Sequence, residues 1–75
     1  MKVKDFIKYP VRYEPLGQDI FDADDKQIAD VRGWGKIQYL FPKDDETLDF
    51  EKAEKFQDKI GEFITDAINE QLLKQ

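Results

Sequence analysis

The side chains most able to do chemistry in this 75-residue chain are its 17 acidic residues, because the chain contains no His, Cys or Ser. Without these residue types, neither a Ser–His–Asp triad nor a thiolate nucleophile or metal site can be assembled. A pair of carboxylates could act as general acid and base, but that role needs a desolvated carboxyl group. None of the acids lies in an evidently apolar stretch. The composition therefore predicts a protein that is not an enzyme and holds no cofactor, with a metal-dependent enzyme as the weakest alternative.

Two acidic clusters in predicted turns are candidate metal ligands. Segment 22–25 contains three Asp residues, as does the start of a calcium-binding loop. Such a loop requires Gly at its sixth position and Glu at its twelfth, where this chain has Gln27 and Gly33. Predicted strands, not helices, flank the segment, so we interpret it as a turn. The second cluster, 44–46, precedes a predicted helix, where negative charge suits the helix dipole. No metal site is predicted.

A row of acids repeats at every fourth position near the end of the chain. Its members are Glu54, Asp58, Glu62, Asp66 and Glu70. Like charges at this spacing each cost roughly 0.2–0.5 kcal/mol in an isolated helix. Lys52, Lys55 and Lys59 offset the row in its first half only. The row is either a solvated helix face or a surface that meets a basic partner. The second interpretation gives an alternative function, an acidic inhibitor that mimics nucleic acid and blocks a host defence enzyme.

A second candidate contact patch surrounds the only Trp. Arg32, Trp34 and Tyr39 belong to the residue types that dominate protein-binding hot spots. The glycines on either side of Trp34 indicate a turn that holds the indole in a set direction. The alternative is that Trp34 folds back and caps the end of a small core.

Charge is distributed unevenly along the chain. Residues 1–12 carry a net charge of +3 and residues 13–75 carry −8. The basic segment either covers the acidic body or contacts a separate partner. The body has the wrong sign for phosphate, so direct nucleic-acid binding is not expected. No stretch approaches the roughly 20 apolar residues of a membrane helix, and the first residues lack signal-peptide features. We therefore expect a cytoplasmic location.

Local patterns place these candidates on a few elements within a single domain, 1–75. Residues 1–16 form a basic arm, 17–41 a β-meander that includes a strand at 36–41, and 42–48 a loop. A hairpin is expected around a type I turn at 22–25, with Asp25 in a left-handed conformation. Its predicted register pairs Asp22 with Lys26 and Ile20 with Ile28.

From Asp49, a plausible N-cap, the pattern becomes helical through residue 73. The predicted apolar stripe of this helix consists of Ala53, Phe56, Ile60, Phe63, Ile64, Ala67 and Ile68. Gly61 borders the stripe. It costs about 1 kcal/mol relative to Ala, so it indicates a close approach to another backbone.

These elements predict an α+β fold. A three-stranded antiparallel β-meander carries one long C-terminal α-helix on one face, and the N-terminal arm covers the edge of the sheet. The helix would be about 37 Å long, roughly twice the length of the strands. The excess length is therefore frayed, covered by the arm or used in a homodimer.

The hairpin and the helix together resemble small phage and prophage proteins of no known activity. The resemblance rests on the sequence IFDADDKQIADVRGWG at 20–35 and GEFITDAINE at 61–70. The chain departs from that pattern at Asp25, where Gly is usual, and at Ile68, where Leu is usual. The resemblance implies a phage origin and action in the bacterial host. With the missing catalytic residue types, it predicts a small protein-binding module that acts on a host or phage protein.

Overall fold

A computed structural model describes residues 2–32 and 50–75 of the chain. Its elements are a 3-10 turn at Val3–Asp5, strands β1 (Arg12–Glu14), β2 (Asp19–Phe21) and β3 (Gln27–Asp30), and helix α1 (Phe50–Leu73). The strands form an antiparallel sheet in the order β1-β2-β3. This arrangement confirms the predicted α+β fold, and α1 begins within one residue of the predicted start. The predicted strand at 36–41, the N-cap at Asp49, Trp34 and Tyr39 lie outside the described residues.

Strand β1 comes from the segment that was predicted to be a covering arm. Tyr13 pairs with Ile20 of β2, and both side chains are buried in the core. Pro10 and Pro15 flank the strand and keep it short, because proline cannot donate to a sheet ladder. The arm therefore contributes a strand to the sheet instead of only covering its edge.

The hairpin between β2 and β3 confirms the predicted turn but not the whole predicted register. Asp25 has a φ of 61°, and its N–H donates to the Asp22 carbonyl at 3.0 Å. The N–H of Asp22 donates to the carbonyl of Lys26 at 2.9 Å, as the predicted pair requires. Further along the strands the register shifts at a bulge, so Ile20 pairs with Ala29.

The predicted pairing of Ile20 with Ile28 is therefore wrong by one residue. A bulge places two residues of one strand opposite one residue of its partner. Neighbouring side chains, which would otherwise point to opposite faces, can then lie on the same side of the strand. Ile28 and Ala29 accordingly line the same apolar groove.

The helix packs on the sheet through a different side from the one predicted. The buried residues of α1 are Ala53, Gln57, Gly61, Thr65 and Leu72. Of the predicted stripe, Ala53 is buried and Ile64 and Ile68 pack against the core, but Phe63 is 75% exposed and Ala67 is also exposed. At 100° per residue, the buried side is rotated by roughly 70° from the predicted stripe. The reason lies in the contacts that Gly61 and two side-chain amides make with the sheet.

Candidate functional site

The helix approaches the sheet closely at Gly61. A Cβ atom at this position would overlap the aromatic ring of Tyr13. One turn earlier on the helix, the Tyr13 hydroxyl donates to Oδ1 of Asp58 at 2.8 Å. Burial and this hydrogen bond to a carboxylate together raise the pKa of Tyr13 to about 12. The close approach indicated by Gly61 is confirmed, although the neighbour is an aromatic side chain and not a backbone.

Two side-chain amides join α1 to the sheet. Asn69 binds both backbone groups of Val11: it accepts from the N–H at 2.8 Å and donates to the carbonyl at 3.0 Å. Gln57 donates from Nε2 to the carbonyl of Val31, just after β3, at 2.5 Å. These bonds satisfy backbone groups that would otherwise be costly to bury.

The sequence interpretation missed both amides, because it considered only the apolar residues, the glycine and the charged residues of the helix. A usable signal was present. Asn69 is the only Asn in the chain, and Asn has low helix propensity, so its place inside a helix calls for a reason.

Asp22 is a turn anchor, which agrees with the interpretation of segment 22–25. Asp22 is only 3% exposed. Its carboxylate accepts hydrogen bonds from the backbone N–H groups of Lys8, Asp24 and Lys26. Burial by itself would raise the pKa of Asp22. The backbone donors outweigh burial and hold that pKa below its ordinary value of 3.8. The carboxylate thus ties the hairpin turn to the N-terminal segment.

Arg12 adds a second tie at the same turn. Its guanidinium lies 2.7 Å from Oδ1 of Asp25, donates to the carbonyl of Asp22 at 3.1 Å and sits 5.3 Å from the ring centre of Phe21. The ion pair is half exposed or more on both sides and adds little stability by itself. Its evident role is to fix the loop against β1.

An open apolar groove runs between the N-terminal 3-10 turn, strand β3 and the C-terminal half of α1. Its volume is about 480 Å³. It is lined by Val3, Ile7, Ile28, Ala29, Phe63, Ile64, Ala67, Ile68, Gln71, Leu72 and Gln75. Lys4 closes one end, where its backbone N–H and its Nζ donate to Gln75 at 3.1 and 2.5 Å. Among the lining residues that the structure describes, none has a charged side chain.

The predicted acidic row is interrupted in the structure. Glu54, Glu62, Asp66 and Glu70 are exposed, whereas Asp58 is partly buried and accepts the Tyr13 hydroxyl. Glu70 forms an exposed ion pair with Lys74 at 3.2 Å. The continuous row of five free carboxylates that a nucleic-acid mimic would present is therefore broken at Asp58.

Of the predicted Trp patch, only Arg32 is described. Its guanidinium forms a two-pronged pair with the carboxylate of Asp30, with N–O distances of 3.2 and 3.0 Å. Arg32 lowers the pKa of Asp30, and the same pair raises the pKa of Arg32. Arg32 is exposed and keeps this local partner.

Within residues 2–32 and 50–75, no group of three or more acidic residues is placed to hold a metal ion. In the same part of the chain, no helix combines the length and the apolar character needed to cross a membrane. Comparison with protein-family models, with curated proteins and with solved structures finds no match to the chain.

Proposed function

We propose that the chain is a small protein-binding module that receives an apolar helical segment of a partner protein. The observation that carries the proposal is the apolar groove beside α1. Its described lining residues have uncharged side chains, and it opens at the surface next to the exposed ring of Phe63. An exposed apolar surface of this kind is typical of interaction sites, and the groove is of a size that binds small apolar groups.

The dimensions of the groove fit a short helix. The groove follows α1 from Phe63 to Leu72, nine residue steps, which corresponds to about 14 Å at 1.5 Å per residue. That length accommodates about two and a half turns of a partner helix. Helices that bind in this way place apolar anchors at positions i, i+3, i+4 and i+7.

Negative charge beside the groove favours a partner with positive charge beside its apolar face. Asp66 and Glu70 are exposed on α1, on the side of Phe63 and Ala67 that faces away from the sheet. Complementary charges across an interface steer the encounter and select the partner. The favoured ligand is therefore an amphipathic helix with Lys or Arg beside its apolar face. The resemblance to phage proteins supports a host or phage protein as its source.

A synthetic peptide tests the proposal. The probe is a fluorescent 14-residue helix built from Leu, Lys and Ala, with Leu at the four anchor positions, and the comparison peptide carries Glu in place of Lys. The groove variant is Val3→Gln with Ala67→Gln, since both residues line the groove and both are exposed. The matched control is Leu16→Gln, because Leu16 is 96% exposed and does not line the groove.

We expect the Lys peptide to bind the wild type and the control equally, and to bind the groove variant at least tenfold more weakly. The Glu peptide should bind the wild type at least tenfold more weakly than the Lys peptide. Unchanged affinity in the groove variant would contradict the proposal. If that unchanged affinity also fell steeply with salt, the acidic helix face would be the binding surface, as in the inhibitor alternative.

A further inference from the structure

We propose that two copies of the chain associate through the outer face of α1, with the two helices antiparallel. The outer face is defined by five exposed residues, which are Lys55, Lys59, Phe63, Asp66 and Glu70. This surface is distinct from the groove floor; Phe63 is its one residue among the described groove lining, and Asp66 and Glu70 lie beside the groove. The proposal does not depend on the groove binding a partner.

The helical period brings these five residues together. At about 100° per residue they fall within roughly 80° of the helix circumference, so they form one strip along α1. Phe63 is the apolar member of the strip, and its 75% exposure leaves a large ring open to solvent. The strip covers about 22 Å from end to end at 1.5 Å per residue.

The charges on the strip are ordered. The two bases, Lys55 and Lys59, precede Phe63, and the two acids, Asp66 and Glu70, follow it. The midpoint of positions 55 and 70 lies between positions 62 and 63. The midpoint of positions 59 and 66 lies at the same place. A two-fold axis near Phe63 therefore places each base of one copy opposite an acid of the other.

The same pattern selects the orientation. In the antiparallel pair, Lys55 meets Glu70 of the second copy and Lys59 meets Asp66, and each contact occurs twice about the axis. The two Phe63 rings meet at the centre, as a self-complementary two-fold interface requires. In a parallel pair, bases would face bases and acids would face acids, which is unfavourable.

One contact within each chain competes with this arrangement. Glu70 pairs with Lys74 of its own helix at 3.2 Å. Exposed pairs at this spacing contribute only about 0.3–0.5 kcal/mol. Glu70 also has a second oxygen, so it can keep Lys74 and accept Lys55 of the second copy.

Charge-reversal variants, followed by analytical ultracentrifugation over a concentration series, test the pairing. The acidic variant carries Lys55→Glu and Lys59→Glu, and the basic variant carries Asp66→Lys and Glu70→Lys. Each by itself should self-associate at least tenfold more weakly than the wild type, because all four contacts become repulsive. Mixed together, the two variants should form a heterodimer at least as readily as the wild type forms its dimer.

The matched control is Glu51→Lys with Glu54→Lys, which changes the net charge as much as the basic variant does but lies off the outer face. It should self-associate as the wild type does. Circular dichroism shows whether each variant keeps its helix. If a double variant fails to fold, Phe63→Ser tests the same interface without a charge change and should also weaken association at least tenfold.

Orientation is measured with a spin label at Leu73→Cys, since Leu73 is exposed and the chain has no other Cys. Antiparallel pairing about Phe63 separates the two labels by about 30 Å, whereas parallel pairing leaves them about 10 Å apart. The proposal is overturned by a wild type that stays monomeric at all concentrations. It is equally overturned by association that survives both reversals, by mixed variants that do not pair, or by labels about 10 Å apart.

Discussion

The two sides of α1 differ in a way that the apolar pattern of its sequence did not predict. Besides its apolar residues, the side that packs on the sheet carries Gln57, Gly61, Thr65 and Asn69, which are polar or small. The side turned away from the sheet carries Phe63, an aromatic residue that is mostly exposed. Apolar periodicity therefore gave the location of the helix but did not identify the side that contacts the sheet.

The difference shows that this helix is docked by specific contacts as well as by apolar burial. Gln57 and Asn69 are twelve residues apart, or about 18 Å along the helix, and each binds a backbone group at a different edge of the sheet. Gly61 lies between them against Tyr13. Two hydrogen-bonding amides and a close approach together fix the position of α1 along the sheet and its rotation. This rotation leaves the ring of Phe63 exposed.

Filling the close approach should have the largest effect on stability. We expect Gly61→Val to lower the free energy of unfolding by about 3 kcal/mol, because the new side chain overlaps the Tyr13 ring. Chemical denaturation measures the change. Ala67→Val, on the exposed side of the same helix, is the control and should change stability by about 0.5 kcal/mol or less.

The overlap itself can be isolated in a second background. When Tyr13→Ala removes the ring, Gly61→Val should cost less than about 1 kcal/mol, and the double-mutant cycle should show strong coupling. If Gly61→Val still costs about 3 kcal/mol in the Tyr13→Ala background, overlap with the ring does not explain the loss of stability. The described contrast between the two sides of the helix would then fail.

Removing the amide at β1 should have the next largest effect. Asn69→Ala leaves the N–H and the carbonyl of Val11 without their partner and should cost about 2 kcal/mol. Gln71→Ala, an exposed amide two residues further on, should be nearly neutral. Equal losses for the two amides, measured by thermal or chemical unfolding, would contradict a specific docking role for Asn69.

The Tyr13 hydroxyl should contribute about 1 kcal/mol, and its contribution should depend on pH. Tyr13→Phe removes the bond to Asp58. Because folding raises the pKa of Tyr13 from 10.0 to about 12, the stabilisation is fully present below pH 10 and is lost as the pH rises to about 12. Unfolding curves at pH 8 to 12 should converge for wild type and variant. Curves that stay parallel would show that Tyr13 ionises normally.

Substitutions on the exposed side of α1 should have the smallest effect on stability. Phe63→Ser should change the free energy of unfolding by no more than about 0.5 kcal/mol, since the ring is already 75% exposed. Its effect should appear only in association, measured by ultracentrifugation. A loss of stability comparable to that of Asn69→Ala would mean that Phe63 is a packing residue, and the contrast between the two sides would fail.

The parts of the fold that sequence predicted are those set by neighbouring residues. The turn at 22–25 and the left-handed Asp25 follow from a few adjacent side chains, and the bounds of α1 follow from a long helical period. The bulge that shifts Ile20 onto Ala29 was not predicted. No local signal in β3 marks it, because Gln27, Ile28 and Ala29 have no glycine among them.

The candidate site was predictable to a smaller extent. Gly61 indicated a close contact. The residue that makes the contact is Tyr13, which lies 48 positions away in the chain. Asp58 looked like one of five equivalent acids, but in the structure its partial burial and its hydrogen bond from the Tyr13 hydroxyl distinguish it from the other four. The groove could not be predicted from the stripe alone, since its lining comes from the N-terminal turn and β3 as well as from α1.

The bonds between Val11 and Asn69 have a consequence for the order of folding. They join positions 58 residues apart, and Lys4 and Gln75 are separated by 71. The loop that must close before these contacts form is nearly the whole chain, whereas the hairpin at 22–25 closes locally. We therefore expect the hairpin to form early and the first strand to be secured late, since its partner Asn69 lies 58 residues further along the chain than Val11. Until then the N–H and the carbonyl of Val11 remain open to solvent. The hydrogen-exchange protection of the Val11 N–H should therefore report the docking of the helix.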